Sequence, residues 1–408
     1  MSSVEKRTRD GKVTWLARWR DPEGRQRKQS FTKRVEAARH AAAMEADAAR
    51  GVYVDGTDRT TVSQACWAWL ERRSIRDRTR VRLSSLIKCH IDPVPLGSRR
   101  VVAVRPSEIH AWVADRGTVI GPASLRKLVG MLKSVMADAV LDRRIVSNPV
   151  VRVSLPSVAR ERVVPLSVAQ VLALADAVVD RYRSMVLTQA GLGLRIGELL
   201  GLRVCDVDFL RRVVHVEHQS HEVTRVLVPL KTASSRRTVP LPAVVADALA
   251  AHLAAHPTGP DVGCACPAGV KCSRAASALL FHTAAGTAID QDYYGRRVFG
   301  AAVRKVKAAI REANATLPKG AEKAPEIAAG TTSHDLRHHF ASVLLQAGES
   351  VVAVAEWLGH DNAHLVLTTY GHLMANSEDR MRKAVDTAYS LVADSCAPTV
   401  PQRSAATS

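Results

Sequence analysis

The chain has 408 residues, 47% hydrophobic and 24% charged, so it is long enough for two or three domains and too apolar to be disordered throughout. Its net charge is +19, unevenly spread: residues 1–60 are net +5 (14 basic, 9 acidic), residues 61–160 net +11 (18 basic, 7 acidic), and the rest near balance at +3. Such asymmetry points to a polyanion, most simply nucleic acid, with solubility alone as the plainer reading. No run reaches the roughly 18 apolar residues of a membrane span. Met1 to Asp10 lacks an apolar segment, so no secretory signal is expected. Seven cysteines are sparse and odd in number, which fits a reducing cytosol better than a disulfide scaffold.

In chain order, residues 11–32 read as a hairpin: Lys12 to Arg20 alternates, Asp21-Pro-Glu-Gly24 is a turn, and Arg25 to Phe31 returns. An Ala-rich helix over 33–50 follows, stopped by Gly51. Arg18, Arg20, Arg25, Arg27 and Lys28 would line one ribbon, either for a DNA groove or as a solvated face. Beyond a linker at Gly56-Thr-Asp-Arg59, the spacing predicts helices over 61–73, 77–90, 106–115 and 122–141. The last carries the apolar stripe Leu125, Leu128, Val129, Leu132, Val135 and Met136, and Asn148-Pro149 closes the segment. Residues 151–165, with Pro156 and Pro165 and no periodicity, read as an interdomain linker. Ser167-Val-Ala-Gln170 is a capping box that opens a helix. The third segment is mostly helical, with strand signals at 212–218, 222–229 and 236–241 and a helix over 242–256. Residues 393–408 read as a polar, disordered tail.

Two motifs in this third segment carry chemistry. In Gly191-Leu-Gly-Leu-Arg195-Ile-Gly-Glu198 an arginine sits inside an apolar, glycine-punctuated run. It either pairs with Glu198 one turn away or meets an anion. Downstream, His334-Asp-Leu-Arg337-His338-His339 puts His334 and Arg337 on one helix face, followed by a helix end at Trp357-Leu-Gly-His360 and by Tyr370 in Leu367-Thr-Thr-Tyr370-Gly-His372. The histidine spacing fits neither H-E-x-x-H nor a Cys/His finger. His338 and His339 read as packing or surface residues, Glu198 as an arginine partner, and His372 as near the site or solvent-exposed.

Arg195, His334-x-x-Arg337, Leu-Gly-His360 and Tyr370, in this order, resemble the tyrosine recombinase (phage integrase) family. Lys231, in Leu230-Lys231-Thr-Ala-Ser-Ser before Arg236-Arg-Thr-Val-Pro-Leu241, stands where that family has a hairpin lysine. The resemblance implies a mainly α fold with small β elements in three domains. Residues 1–55 would be an arm-type DNA-binding domain, 61–155 a helical core-binding domain and 162–392 the catalytic domain. It further implies a site-specific DNA recombinase, an integrase that inserts a mobile element such as a phage genome, with excision as the reverse. That enzyme would work through a 3′-phosphotyrosyl intermediate and a four-way junction, without metal, ATP or other cofactor. The implied partners are double-stranded DNA at crossover and distal arm sites and three further copies in a homotetramer, with a DNA-bending protein or an excision-directing factor as additional candidates. The implied location is the cytoplasm of a bacterial or phage-infected cell, at the nucleoid. The helix expected over 377–392, with Met381, Val385, Tyr389 and Leu391, would be passed between protomers.

The chemistry suits a phosphodiester. Arg195 and Arg337 can fork onto phosphoryl oxygens that gain charge in the transition state. His334 and His360 can donate hydrogen bonds and shuttle protons. Tyr370 is the candidate nucleophile and Lys231 the candidate acid for the leaving sugar oxygen. A type IB-like topoisomerase and a non-catalytic DNA-binding regulator are the competing readings. A separate cluster, Cys264, Cys266 and Cys272 after His252 and His256, is read as either a zinc site or a loop with free thiols.

Overall fold

The N-terminal hairpin is part of a three-stranded antiparallel sheet: β1 (Ser3–Arg9), β2 (Lys12–Arg20) and β3 (Gln26–Phe31), in that order. β1 holds one apolar residue, Val4, so no alternation announced it; pairing with β2 satisfies its backbone instead. α1 (Arg34–Ala49) packs on this sheet, and Ala17, Trp19, Ala37, Ala41 and Tyr53 form the core. Trp19 Nε1 donates to Tyr53 Oη at 3.1 Å. The cations do not share one ribbon face. Arg18 pairs across to Lys28, whereas Arg27 lies opposite Trp19 and is tied to Asp21 and Asp55. Antiparallel register puts directly paired residues on one face, so a change of one position moves a side chain to the other.

The computed structural model describes residues 2–9, 12–51, 53–157, 163–230, 232–256, 278–318, 320–373, 381–383 and 385–389. It divides into two compact units, 1–160 and 161–408. Besides the N-terminal sheet, the first unit holds α2 (Val62–Arg72), α3 (Asp77–His90), the single turn α4 (Pro95–Ser98), α5 (Pro106–Val119) and α6 (Pro122–Leu141). Thr61 opens α2 with a reciprocal Gln64 box. The stripe Leu125 to Met136 is buried as its spacing predicts, against Cys66, Trp69, Ile87, Ile91, Ile109 and Trp112. α4 was not foreseen, since Pro95 and Gly97 are turn residues by propensity. Gly97 fits only because it has no side chain: a Cβ there would lie 2.1 Å from the Ile91 carbonyl oxygen.

The second unit opens with α7 (Val168–Ala177), capped by the predicted Ser167–Gln170 box. α8 (Asp180–Leu192) and α9 (Ile196–Leu200) follow. β4 (Val207–Asp208), β5 (Val213–Val216), β6 (His218–Ser220), β7 (Leu227–Pro229) and β8 (Arg237–Pro240) come next, then α10 (Ala243–Ala255). The expected strand 212–218 is thus two strands that part at Glu217: β5 joins a sheet ordered β4-β5-β8, and β6 pairs, among the described residues, with β7 alone. α11 (Gly300–Thr316), α12 (His334–Ala347), α13 (Val351–Leu358) and α14 (Ala363–Tyr370) complete the named helices. Their apolar faces share one core that runs from Leu166 to Tyr370. Within the expected helix 377–392, residues 381–383 and 385–389 are helical, with Met381, Val385 and Tyr389 exposed; its other residues, including Leu391, lie outside the described ones. Among the described residues no helix is long and apolar enough to cross a membrane.

Leu132 is fully buried in the helical core of the first unit. Leu132→Ala is expected to destabilise that unit by about 2–5 kcal/mol, the usual cost of a buried Leu truncation. Urea titration of the full chain, with wild type in parallel, measures it through a transition shifted to lower denaturant.

Candidate active site

α8 ends at Gly193, whose φ of 61° is left-handed; a Cβ there would lie 2.4 Å from Phe340 Cδ1, so only glycine fits. The chain reverses and Arg195 becomes the cap residue of α9. Glu198 returns Oε2 to the Arg195 backbone N–H at 2.9 Å, while Arg195 Nη1 donates to Glu198 Oε1 at 2.8 Å. Arg195 thus does pair with Glu198, yet its side chain is still 38% exposed.

Glu198 also binds an arginine that sequence reasoning passed over. Arg237 Nη2 donates to Glu198 Oε2 at 2.8 Å, and both side chains are 2% exposed. The signal was present: Arg237 shares strand phase with Val239, which is buried, so an arginine stands on the inward face of β8.

The C-terminus of α13 collects three guanidiniums on three consecutive carbonyls. Arg237 Nε donates to Trp357 O at 2.6 Å, Arg337 Nη2 to Leu358 O at 2.5 Å, and Arg195 Nη2 to Gly359 O at 3.1 Å. Gly359, at φ 65°, turns the chain out of the helix and delivers His360. Arg337 also donates from Nη1 to Gly193 O at 2.6 Å, which joins the end of α8 to the end of α13. Arg337 is 2% exposed and pairs with no carboxylate among the described residues. Burial first, and Arg195 next, push its pKa down to about 9, so it remains cationic at neutral pH.

Arg337 Nη2 also donates to His360 Nε2 at 2.8 Å. An arginine can only donate, so Nε2 accepts, and in neutral imidazole the proton then sits on Nδ1. That Nδ1 is buried without a hydrogen-bond partner, a donor ready for an oxygen. His360 is neutral: burial, then Arg337 and Arg195, push it down to about 4. His334 is likewise pushed down to about 4, by burial and then by His338 and Arg337.

Tyr370 closes α14, buried in the shared core. Its hydroxyl meets His338 Nδ1 at 2.5 Å, so His338 is neither mere packing nor surface. The histidine lies on the His334 side of α12, one turn on, with the two rings 4.8 Å apart. His339 does act in packing, its Nδ1 bonded to Leu166 O at 2.7 Å, and His372 Nε2 reaches Val163 O at 3.1 Å rather than the arginines. Arg195, His334, Arg337, His360 and Tyr370 therefore lie in one connected cluster. Lys231 lies outside the described residues. The loop after it is tied to the His360 turn, because Ser234 Oγ donates to the Asp361 carboxylate. Cys264, Cys266 and Cys272 also lie outside the described residues. Both ring nitrogens of His252 are engaged, by Ser184 Oγ at 3.0 Å and Leu280 O at 3.2 Å.

Burial alone would raise the Glu198 carboxyl, but the Arg237 and Arg195 charges outweigh it and hold it below its ordinary value of 4.5. Its contribution to stability is therefore full above about pH 4.5 and is lost as pH falls toward the folded value. Glu198→Gln should cost about 3–5 kcal/mol at neutral pH, because it leaves Arg237 buried without a counter-charge. Denaturant titrations at pH 7 and at successively lower pH check this: the gap from wild type should be widest at pH 7 and narrow in acid.

The phage integrase family model matches residues 165–377, which takes in the whole cluster. A putative prophage phiRv2 integrase of Mycobacterium tuberculosis is 30% identical over 194 residues, 46% of this chain and 50% of that protein, so the chain spans half the length of this relative. Among solved structures, the Tn1549 transposon integrase in complex with a circular intermediate DNA has a TM-score of 0.65 at 22% identity, over 80% of this chain and 99% of that one. A lambda integrase tetramer bound to a Holliday junction has a TM-score of 0.51 at 17% identity, over 88% and 94%. The fold is shared with these integrases, and with its family match over more than half its length, the chain belongs to the phage integrase family of tyrosine recombinases.

Proposed function

We propose that this chain is a site-specific DNA recombinase that integrates a mobile element by cutting and rejoining DNA strands through a 3′-phosphotyrosyl link. The observation that carries the reading is Arg337: a buried cation with no carboxylate partner among the described residues, hydrogen-bonded to a His360 ring whose Nδ1–H is unpartnered. A buried cation of this kind attracts an anion, and a scissile phosphate is the anion that the family's reaction presents.

In this reading Arg195 and Arg337 hold the nonbridging oxygens of the phosphate and oppose the charge that builds in the transition state. His360 adds its Nδ1–H, and His334, neutral at pH 7, adds a further hydrogen bond. Tyr370 Oη attacks phosphorus, and Lys231 protonates the departing 5′-oxygen. The chemical steps are bond exchanges, with the broken diester's energy kept in the tyrosyl link. Double-stranded DNA is the substrate and a homotetramer the working assembly, as the lambda integrase tetramer on a Holliday junction supports. Residues 61–155, with the larger share of the positive charge, bind the crossover site; residues 1–55 bind a distal site through the sheet and α1.

Three outcomes test this. Tyr370→Phe should abolish covalent protein–DNA adducts on a nicked duplex of the attachment site and leave band-shift affinity almost unchanged, because the phenol oxygen alone makes the bond. Lys231→Ala should slow cleavage of ordinary DNA far more than of a duplex with a 5′-bridging phosphorothioate, since a thiolate leaves without a proton. Equal losses would give Lys231 a phosphate-holding role instead. Removal of residues 1–55 should retain the crossover footprint and erase the distal one; identical footprints would exclude arm-type binding by the N-terminal sheet.

A further inference from the structure

The structure joins Tyr370 to a histidine outside the six-residue set. His338 Nδ1 lies 2.5 Å from Tyr370 Oη, with the two rings 5.5 Å apart at 59°. Tyr370 Oη has no other hydrogen-bond partner among the described residues. The other imidazoles are differently engaged: His360 Nε2 accepts from Arg337, and His334 meets His338 edge to face. His338 is thus the basic side chain in contact with the reacting oxygen.

The protonation states agree with that contact. Burial pushes the Tyr370 phenol up to about 12, against the lowering effect of the Arg337 charge and with a smaller upward push from Asp335, so it is protonated at neutral pH and needs a proton acceptor to become a nucleophile. Burial holds His338 below its ordinary value, with Asp335 pulling it up and Arg337 pushing it down, so its imidazole is neutral and has one lone pair free to accept. A phenol is a stronger donor than a neutral imidazole, so the shared hydrogen runs from Oη to Nδ1. α12 fixes this alignment because Arg337, the preceding residue, is locked by Gly193 O and Leu358 O.

We propose that His338 is the general base that takes the phenolic proton as Tyr370 attacks, and that returns it when the strands are rejoined. The inference rests on the recombinase reading above. In the forward step the Tyr370 O–H bond breaks to Nδ1, the Oη–P bond forms and the P–O5′ bond breaks, with the 5′-oxygen protonated from Lys231. In the reverse step a 5′-hydroxyl gives its proton back to Lys231 as it attacks phosphorus, the P–Oη bond breaks, and His338 returns its proton to the tyrosine oxygen. Asp335, four residues from His339 and three from His338, provides the carboxylate that offsets the transient imidazolium.

The test uses the full chain and a nicked duplex carrying the footprinted crossover site, with adduct formation followed in single turnover. His338→Ala and His338→Gln are expected to bind the duplex as wild type does and to form adduct at least about 100-fold more slowly, the range lost with a general base. Added imidazole should accelerate the Ala variant in proportion to its concentration. Placing 3,5-difluorotyrosine at position 370, a more acidic phenol, should shrink the defect of both variants. Wild-type rates in both variants would overturn the proposal. So would a defect that neither imidazole nor the fluorinated phenol reduces, which would make His338 a positioning residue. The recombinase reading fails separately, if the wild-type chain forms no adduct at Tyr370.

Discussion

The site depends on the C-terminal end of α13. A helix leaves its last carbonyls without intrahelical partners, and its dipole makes that end negative. Here Trp357, Leu358 and Gly359 present such carbonyls in succession, and each accepts from a different arginine: Arg237, Arg337 and Arg195. The three come from β8, α12 and the cap of α9, which are far apart in sequence. One helix end thus sets the spacing of three charges, and the same turn places His360. Gly359 suits this turn through its left-handed φ, and a Cβ there would also crowd Arg237 Nη1 at 3.0 Å.

The charge balance follows from this arrangement. Glu198 offsets Arg195 and Arg237, while Arg337 is held by two carbonyl dipoles and the neutral His360 ring, with no carboxylate partner among the described residues. Dipoles satisfy hydrogen bonds without cancelling charge, so the cluster keeps a net positive character that an incoming anion can complete. Burial first, and the neighbouring cations after it, keep His334 and His360 neutral at pH 7, with both pushed down to about 4. Both rings are therefore neutral, and the positive charge of the cluster resides on the arginines. Burial acts on Tyr370 in the opposite sense and keeps its phenol protonated at neutral pH.

Much of this was legible in the residues. The apolar stripe of α6 and the Ser167–Gln170 box are local signals of period and capping, and local signals survive folding intact. Arg195, His334, Arg337, His360 and Tyr370 were legible because the motif order is specific. Other features were not. β1 has almost no apolar pattern and exists through its pairing with β2. The split at Glu217 depends on which partner each half finds, and strand partnership is a long-range property. Arg27 left the expected basic ribbon because register put it on the Trp19 face beside two carboxylates.

By itself the sequence determined the family, the mainly helical class, the concentration of positive charge in residues 1–160 and the arginine, histidine and tyrosine residues that gather in one cluster, because composition, period and motif order are written along the chain. Only the tertiary structure decided which groups touch. It chose Arg237 as the second partner of Glu198, left His360 Nδ1 as an unpaired donor, and set His338 against the Tyr370 hydroxyl. Each of these contacts joins elements separated by 23 or more positions, as between Arg337 and His360. The packing of helix ends, rather than any local preference, fixes such distances to within a hydrogen bond.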